Sequence, residues 1–254
     1  MGNGGIPSPI LPDGTLISMP IPTTGSEIIK YADLNYDNKS YLEIVKDLNP
    51  RFPYTYCHLD PDIRKSITNQ DDQWKSLFGQ CGGAQGHLNK HLIEVGDIFL
   101  FFGCFRQTER DKTGKLRFVR NSPELHIIYG YMQIGEIVKE KNRIKKEFNW
   151  HPHSDEIHLE KVNNTIYVAS DKLSLDNSLS GYGTFDLKTN RILTKPGMTR
   201  TKWDLPEYFK DVTITRHDKE SFKEDHFQAV NIGQEFVIYA KDKIINWAMD
   251  IIKE

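Results

Sequence analysis

The segment 125-LHIIYGYMQIGEIV-138 is an apolar and aromatic run that is much longer than an average strand. Gly130 and Gly135 interrupt it, and glycine inside a strand is typical of a bulge or a bend. We therefore predict one long strand that bends at both glycines. Other segments with the composition of strands are 98-IFLFFGCF-105, 116-LRFVR-120, 164-NTIYVAS-170 and 234-QEFVIYA-240. The middle of the chain is thus expected to be a β-sheet.

Helical periodicity lies on both sides of this β-rich middle. In 40-SYLEIVKDLN-49 apolar residues recur at helical spacing, and Ser40 and Glu43 form the sequence of a capping box. The segment 242-DKIINWAMDIIK-253 has an apolar stripe along one face. Shorter helices are expected near Gln73–Leu77, near Gln85–Leu92 and in 204-DLPEYF-209, with Asp204 as its cap.

The segment 4-GGIPSPILPDGTLISMPIP-22 is rich in turn-forming residues and then alternates. Because Pro20 and Pro22 cannot donate ladder hydrogen bonds, we expect an edge strand or an extended arm there. No Pro-, Gly- or Ser-rich linker separates the predicted elements, and 254 residues can bury a full core. We predict one domain, residues 1–254, of the α+β class, with a mostly antiparallel sheet and a C-terminal amphipathic helix.

Charge, cysteine content and missing motifs narrow the function classes. The 33 Lys and Arg residues against 35 Asp and Glu give a net charge of −2, which argues against non-specific coating of nucleic acid. Three cysteines without a CxxC pair argue against a disulfide framework and a zinc knuckle. No signal peptide or membrane-spanning run is recognisable, so a cytoplasmic location is expected. P-loop, GxGxxG, GxSxG and HExxH motifs are absent.

The first candidate site is 58-HLDPD-62. Pro61 disfavours helical backbone at Asp60, so His58, Asp60 and Asp62 would share one face of an extended chain. Such side chains can pair a base with an acid or bind a divalent cation. The alternative is a turn into a helix that starts near Ile63, with Asp62 as its N-cap.

The second candidate site is 79-GQCGGAQGH-87. Its glycines allow a ligand to approach the backbone, and Gln80 and Gln85 each carry a donor and an acceptor that match the edge of a nucleobase. Trp74, a few residues upstream, could stack on a base. The alternative is a flexible loop with a helix start at Gln85 and an aromatic side chain in the core.

The third candidate site is 151-HPH-153. Two histidines two residues apart on an extended strand present both rings to one side, a spacing found in metal sites. Two ligands do not make a site, so His58, Asp155 or His158 would have to converge on the pair. Packing or hydrogen bonding of neutral histidines is the alternative, and no metal ligands are assigned from the sequence.

The fourth candidate site combines 199-TRTKW-203 with 233-GQEF-236. Arg200 could hold a phosphate through its fork of donors, and Trp203 could stack on a base. Glu235 could hold a sugar hydroxyl or an amine. A surface arginine and an ion pair at a strand end are the alternatives.

The same segments carry a resemblance to a known family. They are 4-GGIPSPILPDGTLISMPIP-22, 58-HLDPD-62, 78-FGQCGGAQGHL-88, 96-GDIFLFFGCFR-106, 126-HIIYGYMQIGEI-137, 151-HPH-153, 163-NNTIYVA-169, 199-TRTKWDLPEYF-209 and 233-GQEFV-237. Through them nearly the whole chain resembles the nucleotide-modification-associated domain family, type 3. The resemblance implies a role beside enzymes that make hypermodified DNA bases, without an established reaction. The turn Gly96-Asp97 into a strand, followed by a strand that ends in 134-IGEI-137, is also similar to small β-barrels that bind modified bases, so a barrel-like sheet is one expectation.

We expect the polar segments to converge on one pocket. The expected catalytic residues are His58, Asp60, His151 and His153. The expected ligand-binding residues are Asp13, Trp74, Gln80, Gln85, His87, Arg200, Trp203 and Glu235. The expected ligand is a nucleotide or a single flipped, modified DNA base, and other base-modification enzymes are expected partners; no cofactor is identified.

Three classes of function remain open. The protein is an enzyme or enzyme partner that acts on a nucleotide or DNA base, a reader that grips a modified base without chemistry, or a structural subunit of a modification system. Turnover separates the first two, because chemistry needs a general base or a metal in a pocket. A reader needs only stacking and an amide that recognises the base edge.

The single-domain prediction can be checked by limited proteolysis. Because no linker is recognisable, brief digestion of the folded chain should leave one stable product that has lost only terminal residues. Two stable fragments of comparable size, identified by mass spectrometry, would contradict it.

Overall fold

A computed structural model describes residues 5–25, 27–64, 74–230 and 235–253 of the chain. The strands within these ranges are β1 (Ser8–Ile10), β2 (Ile21–Thr23), β3 (Asn35–Tyr36), β4 (Lys39–Ser40), β5 (Tyr56–His58), β6 (Leu77–Gln80), β7 (Ile98–Arg110), β8 (Leu116–Phe118), β9 (Glu124–Val138), β10 (Thr165–Ala169), β11 (Lys172–Leu173), β12 (Asp176–Ser180), β13 (Tyr182–Thr184), β14 (Lys202–Trp203) and β15 (Phe227–Gln228). The α-helices are α1 (Tyr41–Leu48), α2 (Gly82–Lys90), α3 (Lys141–Glu147), α4 (Glu156–Leu159) and α5 (Asp242–Lys253). Short 3-10 helices cover Pro152–Ser154, Thr189–Arg191, Glu207–Asp211 and Lys219–Ser221.

The two long strands β7 and β9 form the antiparallel centre of the sheet. The prediction that β9 is bent or bulged is confirmed as two bulges, because the register skips Tyr129, next to Gly130, in the pairing with β7 and skips Gly135 in the pairing with β10. Both glycines are required by close packing. A Cβ on Gly130 would lie 2.8 Å from the Gly183 backbone carbonyl oxygen, and a Cβ on Gly135 would lie 2.8 Å from the backbone of Ser170.

The main sheet has the strand order β1-β7-β9-β10-β6, with β8 paired to β7 and β13 paired to β9. The β1–β7 pair is parallel, and the other pairs of this sheet are antiparallel. Helices and a mixed sheet together confirm the α+β class. The described strands form no closed barrel, so the barrel-like form of the sheet is not confirmed.

Both amphipathic helices are confirmed. In α1 the Ser40 hydroxyl accepts from the Glu43 backbone N–H at 3.2 Å, and the Glu43 carboxylate accepts from the Ser40 backbone N–H at 2.8 Å. This is the predicted capping box. The apolar face of α5 is buried against one core cluster together with β9 residues such as Ile128. No helix in the described ranges has the length and apolar composition to cross a membrane.

Four local predictions were wrong in the described residues. Between Glu235 and Ala240 only Ile238 forms a β-bridge, so that segment is not a regular strand. Leu77 begins β6 rather than ending a helix, and Gln73 lies outside the described residues. The short helix near residue 207 has Pro206 at its N-cap, not Asp204. The 151–153 segment turns into a 3-10 helix rather than an extended strand.

Two further helix expectations have mixed outcomes. The helix expected near Gln85–Leu92 exists as α2 but begins earlier, at Gly82. Asp62 exchanges both backbone hydrogen bonds with Leu77, each at 2.9 Å, and so acts as a bridge residue of the sheet. The alternative helix that would start near Ile63 runs into residues 65–73, which lie outside the described ranges.

The buried His126 of β9 supports a prediction about pH and stability. Its Nδ1 accepts a hydrogen bond from Trp203 Nε1 at 3.0 Å, and burial, followed by the charge of Arg200, lowers its pKa to about 4. The unfolded chain binds this proton near pH 6.5, so His126 favours folding above that pH and loses this contribution as the pH falls towards 4.

In a His126→Asn variant the amide oxygen can still accept from Trp203, but the side chain no longer titrates. Urea unfolding should show that the wild type loses on the order of 2 kcal/mol more stability than the variant between pH 7.5 and pH 5. The other histidines are the same in both proteins. If the free energy of unfolding depends on pH identically in the two, the lowered pKa of His126 is contradicted.

Candidate functional site

Three histidines, His58, His151 and His153, face the carboxylate of Asp60, and His158 packs against the rings of His58 and His153; we call these five residues the histidine cluster. The rings of neighbouring members have centroids 4.7–5.6 Å apart. His151, His153 and His158 are buried, and Asp60 is almost fully buried. The cluster joins two parts of the chain, residues 58–60 and 151–158, that are far apart in sequence.

Local backbone structure sets the direction of each ring. His58 ends β5, which pairs with β2 through Ile21. His151 is the N-cap of the 3-10 helix, and its Nδ1 accepts from the His153 backbone N–H at 3.2 Å. Asp155 caps α4 by accepting from the His158 backbone N–H at 2.6 Å, which places His158 beside the other rings.

The Asp60 carboxylate occupies the centre of the cluster. Its Oδ1 accepts from the Gly79 backbone N–H at 2.9 Å and lies 3.5 Å from His151 Nε2. Its Oδ2 lies 3.7 Å from His58 Nε2 and 3.6 Å from His153 Nε2. These last two distances exceed those of good hydrogen bonds.

The outer nitrogens of three rings have oxygen partners. His58 Nδ1 lies 3.2 Å from Glu27 Oε1, and His158 Nδ1 lies 2.9 Å from Asp155 Oδ1. His153 Nδ1 lies 2.7 Å from Asn164 Oδ1. Because an ionised carboxylate only accepts, His58 and His158 each donate their Nδ1–H outwards.

The Asn164 amide has a defined orientation. Its Nδ2 donates to the His153 carbonyl oxygen at 2.9 Å, so its Oδ1 is the atom that faces the ring. His153 therefore donates Nδ1–H, and its Nε2 carries a lone pair directed at Asp60.

Burial and neighbouring charges shift the pKa values of the cluster residues in different directions. Burial lowers the pKa of His58, but hydrogen bonds and charges of Asp60 and Glu27 outweigh it and raise that pKa to about 9. Burial alone would raise the pKa of Asp60, yet the surrounding histidines hold it well below its usual range. Burial lowers the pKa of His153 to about 3 and also lowers the pKa of His158.

The cluster has the residue types and spacing of a metal centre. One ligand atom from each of His58, His153 and His158 lies within 4.8 Å of the other two. A second group, Glu27, Asp155 and His158, meets the same distance. Imidazole and carboxylate are the ligands that first-row transition ions prefer.

A cavity of about 200 Å³ adjoins the cluster, and Asp60 forms part of its wall. The 4–22 segment supplies much of the lining, including Ser8 and Ser18. Arg64 and Tyr129 add polar groups, and the aromatic part of the wall consists of Tyr31, Tyr41, Phe52 and Phe102. The carboxylate at the centre of the cluster is thus also a cavity residue.

All four expected catalytic residues lie together in the histidine cluster. Of the expected ligand-binding residues, Gln80 directly follows Gly79 and donates its side-chain N–H to Glu235. Glu235 and Gln80 therefore meet across 155 positions of sequence, as a pair at the end of β6.

Other expected ligand-binding residues have partners within the fold. Gln85 is fully buried, and its Nε2 donates to Tyr167 Oη at 2.7 Å. The buried Trp74 donates its indole N–H to Asp62 at 2.9 Å, and Trp203 donates to His126. Their roles towards a ligand stay predictions.

The remaining expected residues lie at polar positions elsewhere. Asp13 Oδ1 accepts from the Thr15 backbone N–H at 3.0 Å, within a turn. His87 Nε2 lies 2.9 Å from Thr215 Oγ1. Arg200 forms an ion pair with Glu124, and both line a second, shallower depression.

Sequence reasoning did not assign Glu27, Asn164 or Arg64 to the site. Asn164 lies within 163-NNTIYVA-169, so the resemblance alone marks the segment, whereas nothing local distinguishes Glu27 from an ordinary surface acid. His158 was named only as a residue that would have to converge on the 151–153 pair, and the structure brings it there.

Comparison with known proteins gives one match. A family model described as nucleotide modification associated domain 3 matches residues 1–239. No curated protein and no solved structure matches the chain.

Gly79 provides a test of how tightly the cluster is packed. A Cβ at this position would lie 2.5 Å from His153 Cδ2 and 2.8 Å from His151 Cε1, and both rings are buried. Gly79→Ala should therefore lower the free energy of unfolding by about 1–3 kcal/mol through overpacking.

Gly83→Ala is the matched control, because nothing lies within 4 Å of a Cβ at that helical position. It should be neutral or stabilising by up to about 1 kcal/mol. Urea unfolding of both variants decides the matter, and a Gly79→Ala protein as stable as the wild type would contradict the packing described.

Proposed function

The chain belongs to the nucleotide modification associated domain 3 family, and from this we propose that it acts on a nucleotide or a DNA base held in the cavity beside the histidine cluster. The observation that carries the proposal is the double position of Asp60. Its carboxylate faces three imidazole rings and also lies in the wall of the cavity. A ligand in the cavity would therefore contact the negatively charged carboxylate of the cluster.

The size of the cavity favours a small ligand. Its volume of about 200 Å³ lies below the roughly 300–1,000 Å³ of pockets for drug-sized molecules. That volume suits a single base or nucleoside better than a dinucleotide. An enzyme that works on one base extrudes it from the stack and holds it in a closely fitting pocket.

The chemistry of the cavity wall also suits a base. Phe52 and Phe102 offer aromatic surface, on which a base can pack. Ser18 and Tyr129 offer hydroxyl groups that can donate to or accept from the edge of a base. This mixture of apolar surface and a few polar groups is typical of small-molecule sites.

Arg64 supplies a positive charge at the cavity. Its guanidinium donates to the Leu16 carbonyl oxygen at 3.2 Å and lies 5.5 Å from the ring centroid of Tyr36. These two contacts hold the side chain in place. A positioned arginine is suited to a phosphate oxygen of a nucleotide or of a DNA backbone. One such contact fits a chain of net charge −2 better than extensive binding to duplex DNA does.

The second candidate is a reader that binds a modified base without changing it. The aromatic part of the cavity wall favours this function, since stacking and edge recognition are sufficient for a reader. A buried group of four histidines and a carboxylate is more than such recognition needs, and for that reason we place the enzyme first.

Binding measurements with varied salt test the ligand class. Nucleotides and single-stranded DNA with modified bases should bind with a weak salt dependence, and unmodified duplex should bind poorly. Arg64→Met should weaken binding of a nucleoside monophosphate about tenfold and affect the matching nucleoside much less. Arg117→Met, which removes an exposed ion pair with Glu109, is the matched control and should change neither.

Tight, strongly salt-dependent binding to plain duplex with no response to nucleotides would contradict the proposal. Asp60→Asn then separates enzyme from reader in cells that also contain the neighbouring modification enzymes. Mass spectrometry of DNA nucleosides should show that the variant no longer yields the wild-type pattern of modified bases. An unchanged pattern would favour the reader.

A further inference from the structure

We propose that His58, His153, His158 and Asp60 form a binding site for one divalent first-row transition metal ion. The inference goes beyond the function proposed above and does not depend on it. It stands on the hydrogen bonds around the three rings, on the positions of the inner donor atoms, and on the surroundings of His151.

The hydrogen bonds engage Nδ1 of His58, His153 and His158, which leaves Nε2 of each ring, the inner nitrogen, available as a ligand. The oxygens of Glu27, Asn164 and Asp155 fix the Nδ1–H of the three rings on the outer side. In neutral imidazole the other nitrogen then carries a lone pair, and on His58, which is charged near neutral pH, the metal ion displaces the proton of that nitrogen. Hydrogen bonding of the distal ring nitrogen to a carboxylate or an amide oxygen is the arrangement that orients histidine ligands in metal sites.

The inner donor atoms stand at distances close to those of a metal polyhedron. Asp60 Oδ2 is 3.7 Å from His58 Nε2 and 3.6 Å from His153 Nε2. With bonds of about 2.0–2.2 Å to a central zinc ion, neighbouring tetrahedral ligand atoms lie roughly 3.4 Å apart. His158 has a ligand atom within 4.8 Å of ligand atoms of His58 and His153, so movement of the rings would bring the four residues onto one ion.

His151 provides an independent observation. Its Nδ1 accepts the His153 backbone N–H, so its Nε2 carries the proton. That Nε2 is buried without a hydrogen-bond partner and faces Asp60 Oδ1 at 3.5 Å. Together with the Gly79 backbone N–H, it directs Asp60 so that Oδ2 is presented to His58 and His153.

The donor set selects the class of ion. Three imidazole nitrogens and one carboxylate oxygen suit Zn²⁺, Fe²⁺ or Co²⁺, whereas Mg²⁺ and Ca²⁺ prefer oxygen ligands. No cysteine sulfur belongs to the described cluster, which disfavours soft Cu(I). Because Asp60 also lines the cavity, its carboxylate would stand between the ion and a ligand bound in the cavity.

Metal loading of the full chain without nucleotide tests this inference separately from the proposed function. The protein is treated with a chelator, dialysed and titrated with Co²⁺, and Zn²⁺ is then added as competitor. We expect one Co²⁺ per chain, visible absorption of low-coordinate cobalt, displacement by Zn²⁺ and a higher Tm. X-ray absorption of the zinc form should count three imidazoles and one carboxylate oxygen.

Variants of the cluster identify the ligands. His158→Gln should weaken Co²⁺ binding at least 100-fold, and Asn164→Ala, which removes the partner of His153 Nδ1, should weaken it about 10–100-fold. His91→Gln is the matched control. It breaks the half-buried pair of His87 and His91, whose ring centroids are 4.5 Å apart, and it should leave binding unchanged.

Two outcomes would overturn the inference. The first is a wild-type protein that binds no Co²⁺ or Zn²⁺, or whose bound zinc has no imidazole ligands. The second is metal binding that is abolished in His91→Gln and intact in His158→Gln, because the ion would then lie at His87 and His91. The absorption experiment uses only the wild type, so the inference can be refuted even if a variant does not fold.

Discussion

The burial of the Asp60 carboxylate is the constraint on which the arrangement of the site depends. A buried charge is costly unless hydrogen bonds and opposite charges compensate it. Here the Gly79 backbone N–H, the His58 imidazole with its pKa raised to about 9, and the protonated Nε2 of His151 provide that compensation. These groups come from β5, from β6 and from the segment before α4, so compensating one carboxylate also fixes how three distant parts of the chain pack.

The long strands make this convergence possible. The strand β10 pairs with both β9 and β6, so the bulge of β9 at Gly135 influences where β6, and with it Gly79, is positioned. The absence of a side chain on Gly79 then lets the rings of His151 and His153 approach the strand. The position of the site thus follows from the register of the sheet, while its chemistry comes from loops and short helices at the edge of that sheet.

Sequence patterns predicted those features that depend on neighbouring residues. Periodicity was sufficient for α1, α5 and the bent β9, because each has its pattern within one segment. The type of residue was sufficient to suggest the four catalytic candidates. Long-range pairing was not visible, so the partners Glu27 and Asn164 were missed, and the 151–153 segment was expected to be extended although its own ring caps a 3-10 helix.

Asp60 links the cluster to the cavity, and this link has a thermodynamic consequence. A cation among His58, His153 and His158 would neutralise part of the charge of Asp60, and a neutralised wall repels an anionic ligand less. Linkage is reciprocal, so a phosphate-bearing ligand beside Arg64 and Asp60 would favour the cation to the same degree. If both proposals hold, the cluster and the cavity would form one electrostatic unit, in which a cation bound at the cluster would raise the affinity of the cavity for a phosphate-bearing ligand.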